Sequence, residues 1–125
     1  MSKLAAEQLA LCLYRSKGFP AVVVRIATAY GPNQPKHRLI PSLIGAFSRG
    51  ERPALSNPDL SRDFIYVDDV VEGLLLAAGC QAGSGEIINL GDEQTYTIKQ
   101  VAETCLLYTS PSPRDLSTSR MPSSA

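Results

Sequence analysis

Arg62-Asp63-Phe64-Ile65-Tyr66-Val67-Asp68-Asp69-Val70-Val71 is the stretch from which the rest of the chain is read. Phe64 to Val67 is an apolar, aromatic and β-branched run that reads as a short strand. Asp68 is a good N-cap for a helix over about 69–80, with Val70, Val71, Leu74, Leu75 and Ala78 facing inward. Arg62 stands just outside this apolar strand. A lone arginine there either pairs with a carboxylate, with Asp59 and Asp63 as the nearest, or holds an anion.

Upstream of this joint, residues 2–17 place apolar and polar side chains at helical spacing. Leu4, Ala5, Leu9, Cys12 and Leu13 share a face, and Glu7, Arg15 and Lys17 lie off it. Gly18 and Phe19-Pro20 end the helix. Residues 21–27 form a continuous, β-branched run. Its continuity suggests a strand covered on both faces, hence a parallel sheet and an α/β fold. Thr28 to Pro35 is a loop by composition, placed at the carboxyl end of that strand, where open α/β sheets bind ligands. Residues 38–49 return to helix on a stripe of Leu39, Ile40, Leu43, Ile44 and Phe47, with Pro41 in the first turn and Gly50 as the stop.

Downstream, Glu86 to Gly91 reads as a short strand. Thr97-Ile98-Lys99-Gln100 fits a capping box opening another helix. From Cys105 the helical periodicity is lost to Ser, Pro, Thr and Arg. Composition alone reads this as a disordered tail. Back-translation gives a sharper reading: Cys105 to Asp115 and Ser119 to Ala125 can be encoded, in one frame, by sequences resembling the two ends of a transposon-derived sequencing adaptor. Residues 105–125 are therefore set aside. Residues 1–104 are expected to be the natural protein, open at both ends.

The chain has 125 residues, 44% of them hydrophobic, and zero formal net charge. That length is one domain or part of one. The charge gives no electrostatic footprint for nucleic acid or an acidic membrane. No apolar run reaches the roughly 18 residues of a membrane span, and Met1 to Glu7 is not a secretory leader. The cytoplasm, with reduced thiols, is the expected compartment. Cys12 and Cys80 sit in apolar helical patterns and read as small buried hydrophobes. No Cys or His has metal-ligand spacing, and His37, between Lys36 and Arg38, reads as solvent-exposed. Taken singly, Lys3 is a solvated helix lysine and Tyr30-Gly31-Pro32 an ordinary turn. Gly79, Gly83 and Gly85 lie between helix and strand, the wrong order for a dinucleotide loop.

Taken together, three segments in order resemble the NAD-dependent epimerase/dehydratase family, the extended short-chain dehydrogenase/reductases that act on nucleotide sugars. Ser2-Lys3-Leu4-Ala5-Ala6-Glu7 resembles the end of its Tyr-x-x-x-Lys helix. Arg25-Ile26-Ala27-Thr28-Ala29-Tyr30-Gly31-Pro32 resembles its strand and Tyr-Gly-Pro turn. Arg62 to Asp69 resembles its Arg-Asp-Phe-x-x-Val-x-Asp segment, and Glu86 to Gly91 adds the typical strand ending in Asn-x-Gly. The resemblance implies the C-terminal part of a Rossmann-like doubly wound sheet plus the small nucleotide-sugar-binding domain, and thus an incomplete fold.

The resemblance also implies roles. Lys3 matches the catalytic lysine, which lowers the pKa of the general acid/base tyrosine and bonds the nicotinamide ribose. The tyrosine would stand four residues before Lys3, so this chain alone is expected not to turn over. Ile26, Ala27 and Thr28 match residues beside the cofactor, which would be NAD or NADP. Thr28 stands where many relatives carry asparagine. Thr28, Arg38, Leu39, Leu55 and Ser56 match the substrate site, and Arg62 matches an arginine that clamps the substrate diphosphate, a bidentate task. The parent enzyme would oxidise a sugar hydroxyl by transient hydride transfer, epimerise the sugar or eliminate water, and return the hydride. A homodimer is implied. A one-way NAD(P)-dependent reductase of the same superfamily and a non-catalytic scaffold of the same fold remain alternatives.

Overall fold

The computed structural model describes residues 2–109, which divide into two compact units: residues 2–31 with 63–94, and residues 32–62 with 95–109. The first unit is built on two short parallel pairings. Strand β1 (Val23–Ile26) pairs with β4 (Ile87–Leu90), Val23 opposite Ile87 and Ile26 opposite Leu90. Strand β2 (Thr28–Tyr30) pairs with β3 (Ser61–Tyr66), Thr28 opposite Phe64 and Tyr30 opposite Tyr66. The chain thus changes partner at Ala27, whose N–H still donates to the Leu90 carbonyl at 2.9 Å. The residues expected to start a loop at Thr28 are therefore strand. The Thr-Ala-Tyr run has the side chains of a strand, and pairing with β3 overrides the turn signal that begins at Gly31.

Helix α1 (Ser2–Lys17) and helix α3 (Val67–Gly79) both pack on β1. Parallel strands carrying helices make this an α/β architecture, as the continuous apolar run implied. The helix faces differ from the expected ones. In α1 the packed side carries Leu11, which is buried, with Glu7 and Ala10 half-buried; Leu4, Leu9 and Cys12 are exposed. In α3 only Val70 is buried, with Gly73 and Ala77 beside it, while Val71, Leu74, Leu75 and Ala78 are exposed. Small residues win this face because the approach is close. A Cβ built on Gly73 would meet Leu90 Cδ1 at 2.7 Å. Cys80, at the end of α3, is exposed as well, so both helical cysteines fail the expectation of burial.

The central joint is a strand running directly into a helix. Arg62 lies within β3 rather than outside it, and α3 starts two residues earlier than expected. Tyr66 is the N-cap and offers no side-chain cap bond. Asp68 and Asp69 instead occupy the first turn, where negative charge is favoured by the helix dipole. Phe64 and Ile65 are buried and Tyr30 meets Tyr66 edge-on, with ring centroids 5.4 Å apart.

The second unit is a helix pair. Helix α2 (Leu39–Ser48) packs on helix α4 (Ile98–Thr109), burying Leu43, Ala46 and Ala102; Leu43 is only 2% exposed. Gly50 ends α2 with φ +71° and its N–H on the Phe47 carbonyl. The capping box forms: Gln100 N–H donates to Thr97 Oγ1 at 3.1 Å, and Thr97 N–H donates to Gln100 Oε1 at 2.8 Å. Strand β5 (Thr95–Thr97) leads into α4. The helix runs on through Cys105–Thr109, past the boundary expected at residue 104; residues 110–125, most of the expected tail, lie outside the described residues. No helix among the described residues is long and apolar enough to cross a membrane.

Candidate functional site

The residues singled out by sequence fall into two groups, one in each unit. In the first unit, α1 lies along β1 and the two line an open groove of about 510 Å³, formed by Lys3, Ala6, Glu7 and residues 22–26. Lys3 is exposed in the first turn and makes no ion pair among the described residues. Ile26, at the carboxyl end of β1, completes the wall and is 43% exposed. Ala27 and Thr28 follow where the chain leaves β4 for β3. Such switch points at the carboxyl ends of parallel strands are the usual ligand crevices of open α/β sheets.

Two residues of this groove were not picked out by sequence. Arg25 Nε donates to Glu7 Oε2 at 2.9 Å, and its Nη2 donates to Glu7 Oε1 at 2.6 Å. This two-pronged pair joins helix to strand. The Glu7 side chain is 10% exposed and that of Arg25 is 53% exposed. The hydrogen bond from Arg25 holds the Glu7 carboxyl below its ordinary range, with the guanidinium charge acting in the same direction and partial burial opposing both. A signal existed: a charge inside the run Val22-Val23-Val24-Arg25-Ile26 demands a partner.

Also in the first unit, Asp63 has a specific task. Its Oδ1 accepts the Asp92 N–H at 3.0 Å. Its carboxylate also closes over Gly91, where a Cβ would collide with Asp63 and lie 3.3 Å from Ala27. Glycine is required there by close approach.

The second unit carries the other group. Arg38 is the exposed N-cap residue of α2, its backbone N–H on the Pro35 carbonyl at 3.0 Å, and Leu39 begins the helix half-buried. Leu55 is half-buried and Ser56 exposed, in the irregular segment between α2 and β3. His37 is exposed. Arg62 is exposed and forms no salt bridge among the described residues. The two carboxylates named as its alternatives do not take it, and Asp63 is engaged by Asp92. The described residues hold no cluster of three metal-ligating side chains.

Comparison with known proteins decides the family. The sequence model of the NAD dependent epimerase/dehydratase family matches residues 1–91. The chain belongs to this family. It is 36% identical over 106 residues to UDP-glucuronic acid decarboxylase 6 of Arabidopsis thaliana, covering 82% of this chain and 30% of that protein. It is 37% identical over 98 residues to UDP-N-acetyl-alpha-D-glucosaminuronate decarboxylase of Bacillus cytotoxicus, covering 74% and 30%. Among solved structures, dTDP-glucose 4,6-dehydratase from Bacillus anthracis in complex with NAD superposes with a TM-score of 0.78 at 26% identity, over 89% of this chain and 36% of that one. UDP-glucose 4-epimerase from Thermotoga maritima, solved with UDP-glucose, gives 0.75 at 28% identity, over 82% and 34%. The chain therefore spans about a third of the length of the proteins it matches, and its α/β units are part of a Rossmann-like epimerase/dehydratase fold.

Proposed function

We propose that this epimerase/dehydratase chain is the substrate-holding part of an NAD(P)-dependent enzyme acting on nucleotide sugars. Residues 1–104 carry that role, and 105–125 are adaptor-derived. The observation that carries the reading is Arg62: an exposed guanidinium without a carboxylate partner among the described residues, in a chain that matches the family from residue 1 to 91. A guanidinium left free in this way suits a diphosphate, which it grips through two parallel hydrogen bonds. Arg38 adds a second cation at the start of α2, with Leu39, Leu55 and Ser56 toward the nucleoside. A dimeric parent in the cytoplasm is part of the same reading.

The first unit fits the cofactor's nicotinamide end in its donor chemistry. Lys3 offers an ammonium, free of ion pairs among the described residues, for ribose hydroxyls, and the Ile26 to Thr28 switch offers an apolar wall followed by a hydroxyl donor. When bound, the nicotinamide supplies a reversible hydride acceptor. Lys3 holds the ribose and, by its charge, favours the ionised form of a neighbouring acid/base. Relatives include decarboxylases as well as dehydratases and epimerases, so decarboxylation of a nucleotide-sugar uronate joins epimerisation and dehydration among the candidate outcomes.

Calorimetric titration of the 125-residue chain with UDP and dTDP tests the reading. Binding of at least one is expected, weakened by about tenfold or more in Arg62→Ala, as for loss of a charge-assisted hydrogen bond of roughly 1.5–3 kcal/mol. Equal affinity of wild type and Arg62→Ala would overturn it.

A further inference from the structure

We infer that Glu7 and Arg25 are a positioning pair for Lys3, holding its helix against β1 and keeping its ammonium free. The inference rests on the role of Lys3 proposed above. Three observations carry it. The α1 helix turns toward β1 a side that holds a charged residue, half-buried Glu7, beside the buried Leu11, while Leu9 and Cys12 stay exposed. Both oxygens of Glu7 are occupied by one guanidinium, at 2.9 and 2.6 Å, a fork geometry that fixes direction as well as distance. And Lys3, four residues before Glu7, lines the same groove without forming an ion pair among the described residues.

The spacing makes the consequence specific. Residues four apart on a helix are neighbours, so Glu7 is the carboxylate within ordinary reach of Lys3. With its charge offset by Arg25, Glu7 attracts the ammonium less, and no Lys3–Glu7 ion pair forms. A helix-to-strand pair of this kind therefore does two things. It sets the rotation of α1, which aims Lys3 along the groove toward the carboxyl end of β1. It also leaves the Lys3 charge for a ligand.

The test is competitive acetylation of the full 125-residue chain with limiting N-hydroxysuccinimide acetate. Mass spectrometry reads the extent of modification at Lys3 relative to Lys17, on the same helix. In Arg25→Gln the freed Glu7 pairs with Lys3, and the Lys3/Lys17 ratio falls by about twofold, the scale of an i,i+4 ion pair. In Arg25→Gln/Glu7→Gln the ratio returns to that of wild type. Arg25→Lys, which cannot grip both oxygens, gives an intermediate ratio and serves if Arg25→Gln does not fold by circular dichroism. A purely structural pair predicts the same ratio in single and double variants, because both lose the link. That result, or an unchanged ratio in Arg25→Gln and Arg25→Lys, overturns the inference. The role of Lys3 itself is read separately, by whether Lys3→Met alters binding of NADH followed by its fluorescence, so failure of one reading is distinguishable from failure of the other.

Discussion

The same substitution, glycine to alanine, is expected to act with opposite sign in two helices of this chain. In a helix interior the exchange gains about 0.8–1.0 kcal/mol of propensity, because alanine has less backbone freedom to lose. At Gly45, inside α2, the added Cβ meets only Arg49 Nη1 at 3.3 Å. That is the tip of a long side chain that is 62% exposed, and it can give way. Gly45→Ala should therefore stabilise by roughly 0.5–1 kcal/mol. At Gly73, inside α3, the Cβ meets Leu90 at 2.7, 2.8 and 3.3 Å through Cδ1, Cδ2 and Cγ. All three atoms belong to one branched side chain on β4, which cannot leave the contact without repacking. Overpacking of this kind costs about 1–3 kcal/mol and exceeds the propensity gain. Gly73→Ala should destabilise by roughly 0.5–2 kcal/mol. Urea denaturation followed by circular dichroism separates the cases. With a slope of about 1 kcal/mol/M for a chain of this size, the midpoints should move in opposite directions by roughly half a molar or more. Midpoints that rise together would refute the close packing of α3 on β4.

Other outcomes follow from single contacts. Thr97→Ala removes one half of the capping box and should cost about 1 kcal/mol, with Thr97→Ser recovering most of it in the same denaturation assay. Leu43→Ala empties a site that is 2% exposed between α2 and α4 and should cost about 2–5 kcal/mol. For pH, Glu7 has a folded-state pKa below its ordinary 4.5, chiefly because Arg25 donates to it. The unfolded chain therefore binds this proton first as pH falls, so the stabilisation is complete above 4.5 and is lost below it, as pH passes through the folded-state value. Thermal melts from pH 6 to 3 should show a shallower acid loss in Glu7→Gln than in wild type, and parallel curves would contradict the pairing.

What could be read from sequence was local. The strand-to-helix joint, the capping box at Thr97 and the stop at Gly50 each depend on a few neighbouring residues, and each formed, the joint two residues before the expected Asp68 cap. The parallel, helix-covered character of β1 was legible in its unbroken β-branched run. The rotations of α1 and α3 were not. They involve contacts distant in sequence, Arg25 with Glu7 and Leu90 with Gly73. The strand at Thr28–Tyr30 was hidden for the same reason, since its partner lies more than thirty residues away. At the candidate site, Lys3, Arg38 and Arg62 could be named from motif order, whereas Glu7 and Arg25 emerged only from geometry. Asp63 is adjacent to Arg62 in sequence but accepts the Asp92 N–H, a contact 29 residues away that no local pattern shows.

The most direct test of nucleotide-sugar binding is a residue-resolved titration. With the chain labelled with nitrogen-15, amide spectra are recorded during addition of a UDP-sugar or dTDP-sugar. The account predicts saturable shifts concentrated at Arg38, Leu39, Leu55, Ser56 and Arg62, all abolished by Arg62→Ala. Saturable binding whose shifts avoid those five positions, or that survives Arg62→Ala unchanged, would contradict it.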